Sequence, residues 1–346
     1  MMNNNNLHPL SISVIIPVYR GGDNFSQCLE SFKNISVFPL EVIVVVDGVD
    51  LESYQMATKF TDKVLQLEEN QGPATARNRG ADIAKGEILF FMDADVTIHH
   101  DTLAKILQVF QENPEVSAII GSYDDSPSAS NFLSQYKNLF HHYNHQIGSR
   151  EASTFWGACG AIKRDIFLKI GGFNQHYRFP SVEDIELGYR LKKKGDPEGI
   201  GYAVRILLCK DIYVKHLKKW TIYSLLRADF FYRALPWTEL IHQNSSFTND
   251  LNLKYSSRIS VILVYLFLIL LIPIFWYKQL IFLNIVLIVI LTILNLPVYR
   301  FFQQKRGLIF TLQVLPWHWF YYFYSGLGFT LGTANFWLKK LITQIK

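Results

Sequence analysis

Ile88-Leu89-Phe90-Phe91-Met92-Asp93-Ala94-Asp95 decides how this chain is read. An unbroken apolar run suits a strand covered on both faces of a parallel sheet. Two carboxylates, one residue apart, end that strand. An open parallel sheet takes its ligands at the carboxyl ends of its strands, so Asp93 and Asp95 stand where a substrate would sit. Acids at that spacing offer oxygen ligands to a hard divalent cation, whose remaining positions suit a phosphate. A strand-terminal turn also favours Asp, so the pair alone does not decide the chemistry.

The same pattern repeats on either side. Residues 11–17 form an apolar strand that closes on Pro17-Val18-Tyr19, before a Gly-Gly turn and an amphipathic helix carrying Phe25, Cys28, Leu29 and Phe32. Val42 to Val46 is a second strand, ending at Asp47-Gly48, with a helix around 51–60 after it. A short strand from Lys63 to Leu67 leads to Asn70-Gln71-Gly72-Pro73, which opens a helix from Ala74 to Lys85. A helix from Thr102 to Gln111, a strand at 116–121 and an aromatic helix at 131–147 follow the central run. Apolar strands alternating with amphipathic helices predict an α/β domain over residues 11–216, with a Rossmann-like, mostly parallel sheet and helices on both faces. Residues 1–10, with four consecutive asparagines, read as disordered.

Several segments end in groups with chemistry. Asp47 is placed to accept hydrogen bonds from a base or ribose, and equally suits a turn before Gly48. Gly72 lets backbone approach a ligand, and Arg77 in the next helix suits a phosphate or planar base. Trp156-Gly157-Ala158-Cys159-Gly160-Ala161 leaves room for a sugar beside an indole wall, or is a packed strand. Glu183-Asp184 opens a helix, where the macrodipole keeps a carboxylate ionised. Such a group either caps the helix or accepts a proton from an attacking hydroxyl. His216, before Leu217-Lys218-Lys219-Trp220, is a candidate metal ligand. His141, His142 and His145 read as a solvated helix face, and His99-His100 as loop.

The second half changes character. Ile259–Tyr277, Leu280–Tyr299 and Leu308–Trp337 carry no Asp, Glu, Lys or Arg, predicting a transmembrane region at 256–338 with spans near 259–277, 280–299 and 308–332, the third either crossing or forming a re-entrant or interfacial segment. Residues 217–255, mixing Trp220, Phe230, Phe231 and Trp237 with Lys218, Lys219, Arg227 and Arg233, suit an interfacial helix, and 339–346 a basic tail. The polar start lacks a signal peptide, and Arg258, Arg300, Lys305 and Arg306 flank the spans. An integral protein of a bacterial-type plasma membrane, with its catalytic domain in the cytoplasm, is the expectation. Three scattered cysteines fit reduced thiols there. The net charge of +5 suits an anionic membrane surface, and no nucleic-acid motif is present.

In their order, Ser13-Val14-Ile15-Ile16-Pro17-Val18-Tyr19, Val44-Val45-Val46-Asp47-Gly48, Gly72-Pro73-Ala74-Thr75-Ala76-Arg77-Asn78, Asp93-Ala94-Asp95, Gly157-Ala158-Cys159-Gly160 and Glu183-Asp184 closely resemble the family 2 glycosyltransferases, inverting nucleotide-sugar enzymes of GT-A fold. The resemblance covers about residues 11–220. It implies that Pro17, Val18, Tyr19, Asp47, Gly72, Arg77, Asp93 and Ala94 surround the nucleotide sugar. Asp95 and His216 would hold Mg²⁺ or Mn²⁺, and Asp184 would be the catalytic base. Trp156, Gly157, Ala158, Cys159, Glu183 and Trp220 would line the sugar and acceptor pocket. Implied partners are a nucleotide-sugar donor, UDP-linked by resemblance, membrane lipids, and a hydroxyl acceptor that an interfacial site would make lipid-linked.

Two departures narrow this expectation. Val46-Asp47-Gly48-Val49 supplies one acid where family members commonly carry two. The Gln-X-X-Arg-Trp motif of processive synthases is missing, which favours transfer of a single sugar. The rivals are a processive polysaccharide synthase, a membrane-anchored nucleotide-sugar-binding protein without turnover, and a nucleotidyltransferase. The last would carry a Gly-rich basic loop after its first strand, for which Arg20-Gly21-Gly22-Asp23 is a poor match.

Overall fold

A computed structural model describes residues 10–193, 204–244 and 253–345. The disorder expected of residues 1–9, and residues 245–252 of the expected linker, lie outside that set. The chain divides into two compact units. One is Met1–Asp124 with Arg150–Lys218, the other Asp125–Ser149 with Lys219–Lys346.

The first unit runs β1 (Ile12–Val18), α1 (Gly22–Glu30), β2 (Glu41–Val46), α2 (Leu51–Phe60), β3 (Val64–Gln66), α3 (Pro73–Ile83), β4 (Ile88–Met92), β5 (Val96–Ile98), α4 (Thr102–Glu112) and β6 (Ala118–Tyr123). The chain then leaves for α5 (Phe132–Ile147) in the other unit and returns through β7 (Cys159–Lys163), α6 (Arg164–Lys169), α7 (Glu183–Lys192) and β8 (Ile206–His216). The strands form one sheet in the order β3-β2-β1-β4-β7-β6-β8-β5. Every residue of β1 and β4 is buried, which requires cover on both faces.

The sheet is mixed but mostly parallel: all strands except β7 and β5 run in one direction. Strands β3, β2, β1 and β4 are parallel neighbours, and β6 is parallel to β8. Strand β7 runs antiparallel to both β4 and β6, and β5 antiparallel to β8. An apolar run carries no information on strand direction, so the insertion of β7 was invisible in the pattern. What the topology secures is the site. The chain after β1 builds β2 on one side and, later, β4 on the other, so Tyr19, Asp47 and Asp93 all emerge at the same carboxyl edge.

The second unit is helical: α5, α8 (Ile222–Arg227), a π-helical turn at Ala228–Ala234, α9 (Leu235–Asn244), α10 (Tyr255–Leu271), α11 (Leu280–Leu294) and α12 (Leu296–Ile345). Helix α5 was expected inside the α/β domain. Its apolar face, Tyr136, Leu139, Phe140 and Tyr143, instead packs with Val298, Tyr299, Phe302 and Val314 of α12.

The three expected spans are shortened or broken. Pro273 ends the helical run of α10 in a 3₁₀ turn, and Asn295 leaves helical geometry after α11. Gly307, at φ 81°, breaks α12 just before the third apolar run. Among the described residues no single helix is long and apolar enough to cross a membrane. By length and composition, α11 and α12 pass that test only as a pair bent by 62°.

Candidate active site

Asp95 and His216 are far apart in sequence and neighbours in space. Val96 pairs with His216 where β5 meets β8, and the Leu217 amide donates to the Asp95 carbonyl at 2.8 Å. The carboxylate Oδ2 of Asp95 stands 3.5 Å from Nε2 of the buried His216. Enclosure works against ionising Asp95, but His216 and then Lys218 hold its carboxyl below the ordinary value. The His216 ring is stacked on Tyr123, with centroids 4.5 Å apart and planes within 6°. Trp156 meets Tyr123 edge-on at 4.8 Å. Tyr123 went unremarked in the sequence because it closes the apolar run of β6 and reads as core; its only signal was an aromatic at a strand end.

Asp184 sits on the first turn of α7, half-buried. Its Oδ2 accepts the Gly157 amide at 3.1 Å and its Oδ1 the Ile185 amide at 2.8 Å. Two main-chain donors and a helix N-terminus favour the carboxylate form. Glu183, beside it, is buried, with Oε1 on Arg77 at 2.8 Å and Oε2 on the Ser181 amide at 2.8 Å.

Several expected ligand contacts are engaged internally. Arg77 is only 4% exposed and lies between Glu183 and Asp93, the latter at 2.7 Å. Burial opposes its charge, yet Asp93, Glu183 and Asp184 hold the guanidinium more firmly protonated than a free one. It presents no open face to a phosphate or base. Glu183 is likewise 4% exposed. Asp47 is 3% exposed and clasps the turn before α3, accepting the Gln71 and Gly72 amides at 2.8 and 2.9 Å. Burial raises its pKa and those two amides oppose the rise. Gly72 has φ 91°, and a Cβ there would strike the Arg178 backbone, so the turn needs glycine.

Pro17 and Val18 are buried in β1, while Tyr19 is 45% exposed with Arg20 against its ring. Only Tyr19 of these three offers a side chain to a ligand. Ala158 and Cys159 belong to the core rather than a pocket floor, because β7 is enclosed between β4 and β6. Ala94 packs partly buried against the same core. Trp220 falls in the second unit, where its amide donates to Ser134 and its carbonyl accepts from Asn131.

Among the described residues no group of three His, Cys, Asp or Glu is gathered as for a metal ion. The pair Asp95–His216 offers one hard oxygen and one imidazole nitrogen. Mg²⁺ bound through one or two protein ligands completes its shell with waters and substrate phosphates, so the pair fits such an ion beside a diphosphate.

A strand-end acid pair and a helix-borne carboxylate thus gather near the carboxyl edge of the sheet, tied together through Arg77 and Glu183. Residues 13–171 match the family model described as Glycosyl transferase family 2. An uncharacterized glycosyltransferase of Haemophilus influenzae is 30% identical over 56% of this chain and 65% of its own length. The glucosyl-dolichyl phosphate glucuronosyltransferase of Haloferax volcanii is 27% identical over 48% of this chain and 56% of its own. The match thus spans less than two thirds of either relative. Among solved structures, the mannosyltransferase PcManGT of Pyrobaculum calidifontis, in complex with GDP-Man and Mn²⁺, aligns with TM-score 0.48 and 19% identity over 69% of this chain and 64% of that one.

Proposed function

We propose that the chain is a membrane-anchored, inverting glycosyltransferase that moves one sugar from a nucleotide-sugar donor, UDP-linked, to a hydroxyl of a lipid-linked acceptor. The observation that carries this reading is the pairing of Asp95, within the residues that match the family, and His216 at 3.5 Å, where β5 meets β8. Asp95 and His216 would hold Mg²⁺ or Mn²⁺. When bound, that ion neutralises charge on the departing diphosphate. Asp184, kept ionised by the Gly157 and Ile185 amides, takes the proton of the acceptor hydroxyl as it attacks the anomeric carbon. Attack from the face opposite the leaving group inverts that carbon. Tyr19 is the exposed aromatic at the β1 end against which a base would stack.

The anchor rests on the surface of the second unit. Ile262, Ile269, Ile272, Phe275, Trp276 and Phe282 are all more than half exposed on α10, α11 and the turn joining them. An apolar surface of that extent is costly in water and suits lipid. Helix α10 alone, Tyr255–Leu271, is about 25 Å long at 1.5 Å per residue, and the apolar turn Pro273–Phe275 follows it, against a bilayer core of about 30 Å. Trp276, Tyr277 and Lys278 then stand at an interface. A lipid-linked acceptor follows from that anchor, and the catalytic domain is assigned to the cytoplasmic side.

Full-length protein in detergent, incubated with Mn²⁺ and a panel of nucleotide sugars, is expected to release nucleoside diphosphate from one of them. Asp184→Asn should lower transfer at least about 10³-fold while nucleotide-sugar binding persists. Full turnover in that variant, or no donor consumed by the wild type, sinks the assignment. Alkaline carbonate extraction tests the anchor, since release into the supernatant would contradict it.

A further inference from the structure

The reaction above assigns no role to Arg77, Glu183 or the absent side chain of Gly157, and the three share one contact. The Arg77 guanidinium reaches two ways: Nη2 to Asp93 Oδ1 at 2.7 Å and Nη1 to Glu183 Oε1 at 2.8 Å. The remaining Glu183 oxygen accepts the Ser181 amide, so that carboxylate is fixed at both ends. A Cβ on Gly157 would stand 3.0 Å from both Cζ and Nη2 of Arg77. A side chain at 157 would therefore press on the guanidinium, which would have to yield by a few tenths of an ångström. That same backbone donates its amide to Asp184. Glu183 and Asp184 are consecutive at the start of α7. Two constraints on Asp184 thus run through Arg77, one along the chain from Glu183 and one through Gly157.

We infer that Arg77 and Glu183 are positioning residues. The chain Asp93–Arg77–Glu183, buried at Arg77 and Glu183 and with Gly157 laid against it, sets where Asp184 stands relative to the acids at the end of β4. The role given to Asp184 rests on the transferase reading, whereas the clamp itself rests on geometry alone. Arginine is the residue for this task because its planar fork holds two carboxylates in fixed directions, whereas an ammonium is a single point of charge. Losing one partner leaves a buried charge uncompensated, so the arrangement is stiff.

The test uses Arg77→Lys, Glu183→Gln and Gly157→Ala in the full-length protein. The last keeps every charge, so it answers for the clamp if either charge variant fails to fold. Two readouts are taken: kcat for transfer beside the Kd of UDP with Mn²⁺, and hydrogen exchange of the amides at 183–187 against those of β4. A displaced base costs about 10²-fold in kcat. The UDP Kd should stay within about threefold. Exchange at the start of α7 should quicken about tenfold while β4 keeps its protection. Loss of UDP affinity in step with kcat would make Arg77 a nucleotide ligand and overturn the inference. Unchanged kcat with unchanged exchange would overturn it too. Should the wild type consume no nucleotide sugar, the transferase reading falls by itself, and exchange alone then judges the clamp.

Discussion

The two units place their polar groups in opposite ways. In the α/β unit the interior of the sheet is apolar, and charge collects where strands end: Asp47, Asp93, Asp95 and His216. In the helical unit a set of polar groups lies inside. Tyr136 meets His318 at 2.8 Å, His318 meets Tyr322 at 3.1 Å, Tyr322 donates to Asn295 at 2.6 Å, and Asn295 donates to Ser260 at 2.9 Å. A second cluster joins Asp229 to Lys137 at 2.5 Å and to Tyr324 at 2.9 Å. Outside stand Ile272, Phe275, Trp276 and Phe282. Of the rim groups of the sheet, Asp93 and Asp95 keep part of their carboxylates exposed to water. Polar groups paired within an apolar shell suit an environment that offers no water to pair with.

The sharpest way to break that contrast is at Asp229. Its carboxylate is the partner of Lys137, only 12% of whose side chain is exposed. Asp229→Ala should destabilise the helical unit by about 3–5 kcal/mol, because it removes a buried carboxylate that faces the Lys137 ammonium and accepts from Tyr324. Thermal unfolding in detergent measures this; a melting temperature unchanged within error would mean that the cluster is solvated. The matching change at the rim acts on chemistry rather than folding. Asp95→Asn should lower transfer about 10²–10³-fold, with the melting temperature nearly unmoved, because Asp95 is partly exposed. Equal loss of stability in both variants would erase the distinction between rim and interior.

His318→Leu probes the interior more gently. The hydroxyls of Tyr136 and Tyr322 each lose the imidazole, while Tyr322 keeps Asn295. A cost of about 2 kcal/mol is expected, mostly from the stranded Tyr136 hydroxyl. A neutral result in calorimetry would show that the apolar shell admits water.

What was legible in the sequence follows the same contrast. The run Ile88–Met92 ending in acids could be read because burial and charge change sign at one residue. So could β1 and β2. Strand β8 could not, since Ile206–His216 mixes Lys210, Asp211 and Lys215 among its apolar residues. The clamp was hidden because Arg77 meets partners 16 and 106 residues away. Nothing local to Arg77 separates a phosphate ligand from an internal tie. The ends of the apolar helices were readable and outweighed by hydropathy: Pro273 and Pro297 follow the last turns of α10 and α11 closely.

The smallest effect belongs to the polar rim, at Asp50. Its Oδ1 accepts the Ser53 amide as the N-cap of α2, and its Oδ2 accepts the Arg20 amide at 2.7 Å. Arg20 has φ 53°, a conformation few side chains adopt, so this hydrogen bond holds the turn that presents Tyr19. Slight burial works against ionisation, but Ser53 and Arg20 hold the carboxyl below the ordinary 3.8. A folded pKa below the unfolded one stabilises at pH values above the unfolded pKa, and the benefit disappears as acid protonates the folded group. Asp50→Ala should therefore cost about 1 kcal/mol at pH 7. The gap between wild type and variant should close as the pH falls below the ordinary aspartate value. A gap that persists undiminished in acid would mean that Asp50 acts through packing, and the rim would then owe its order to something other than charge.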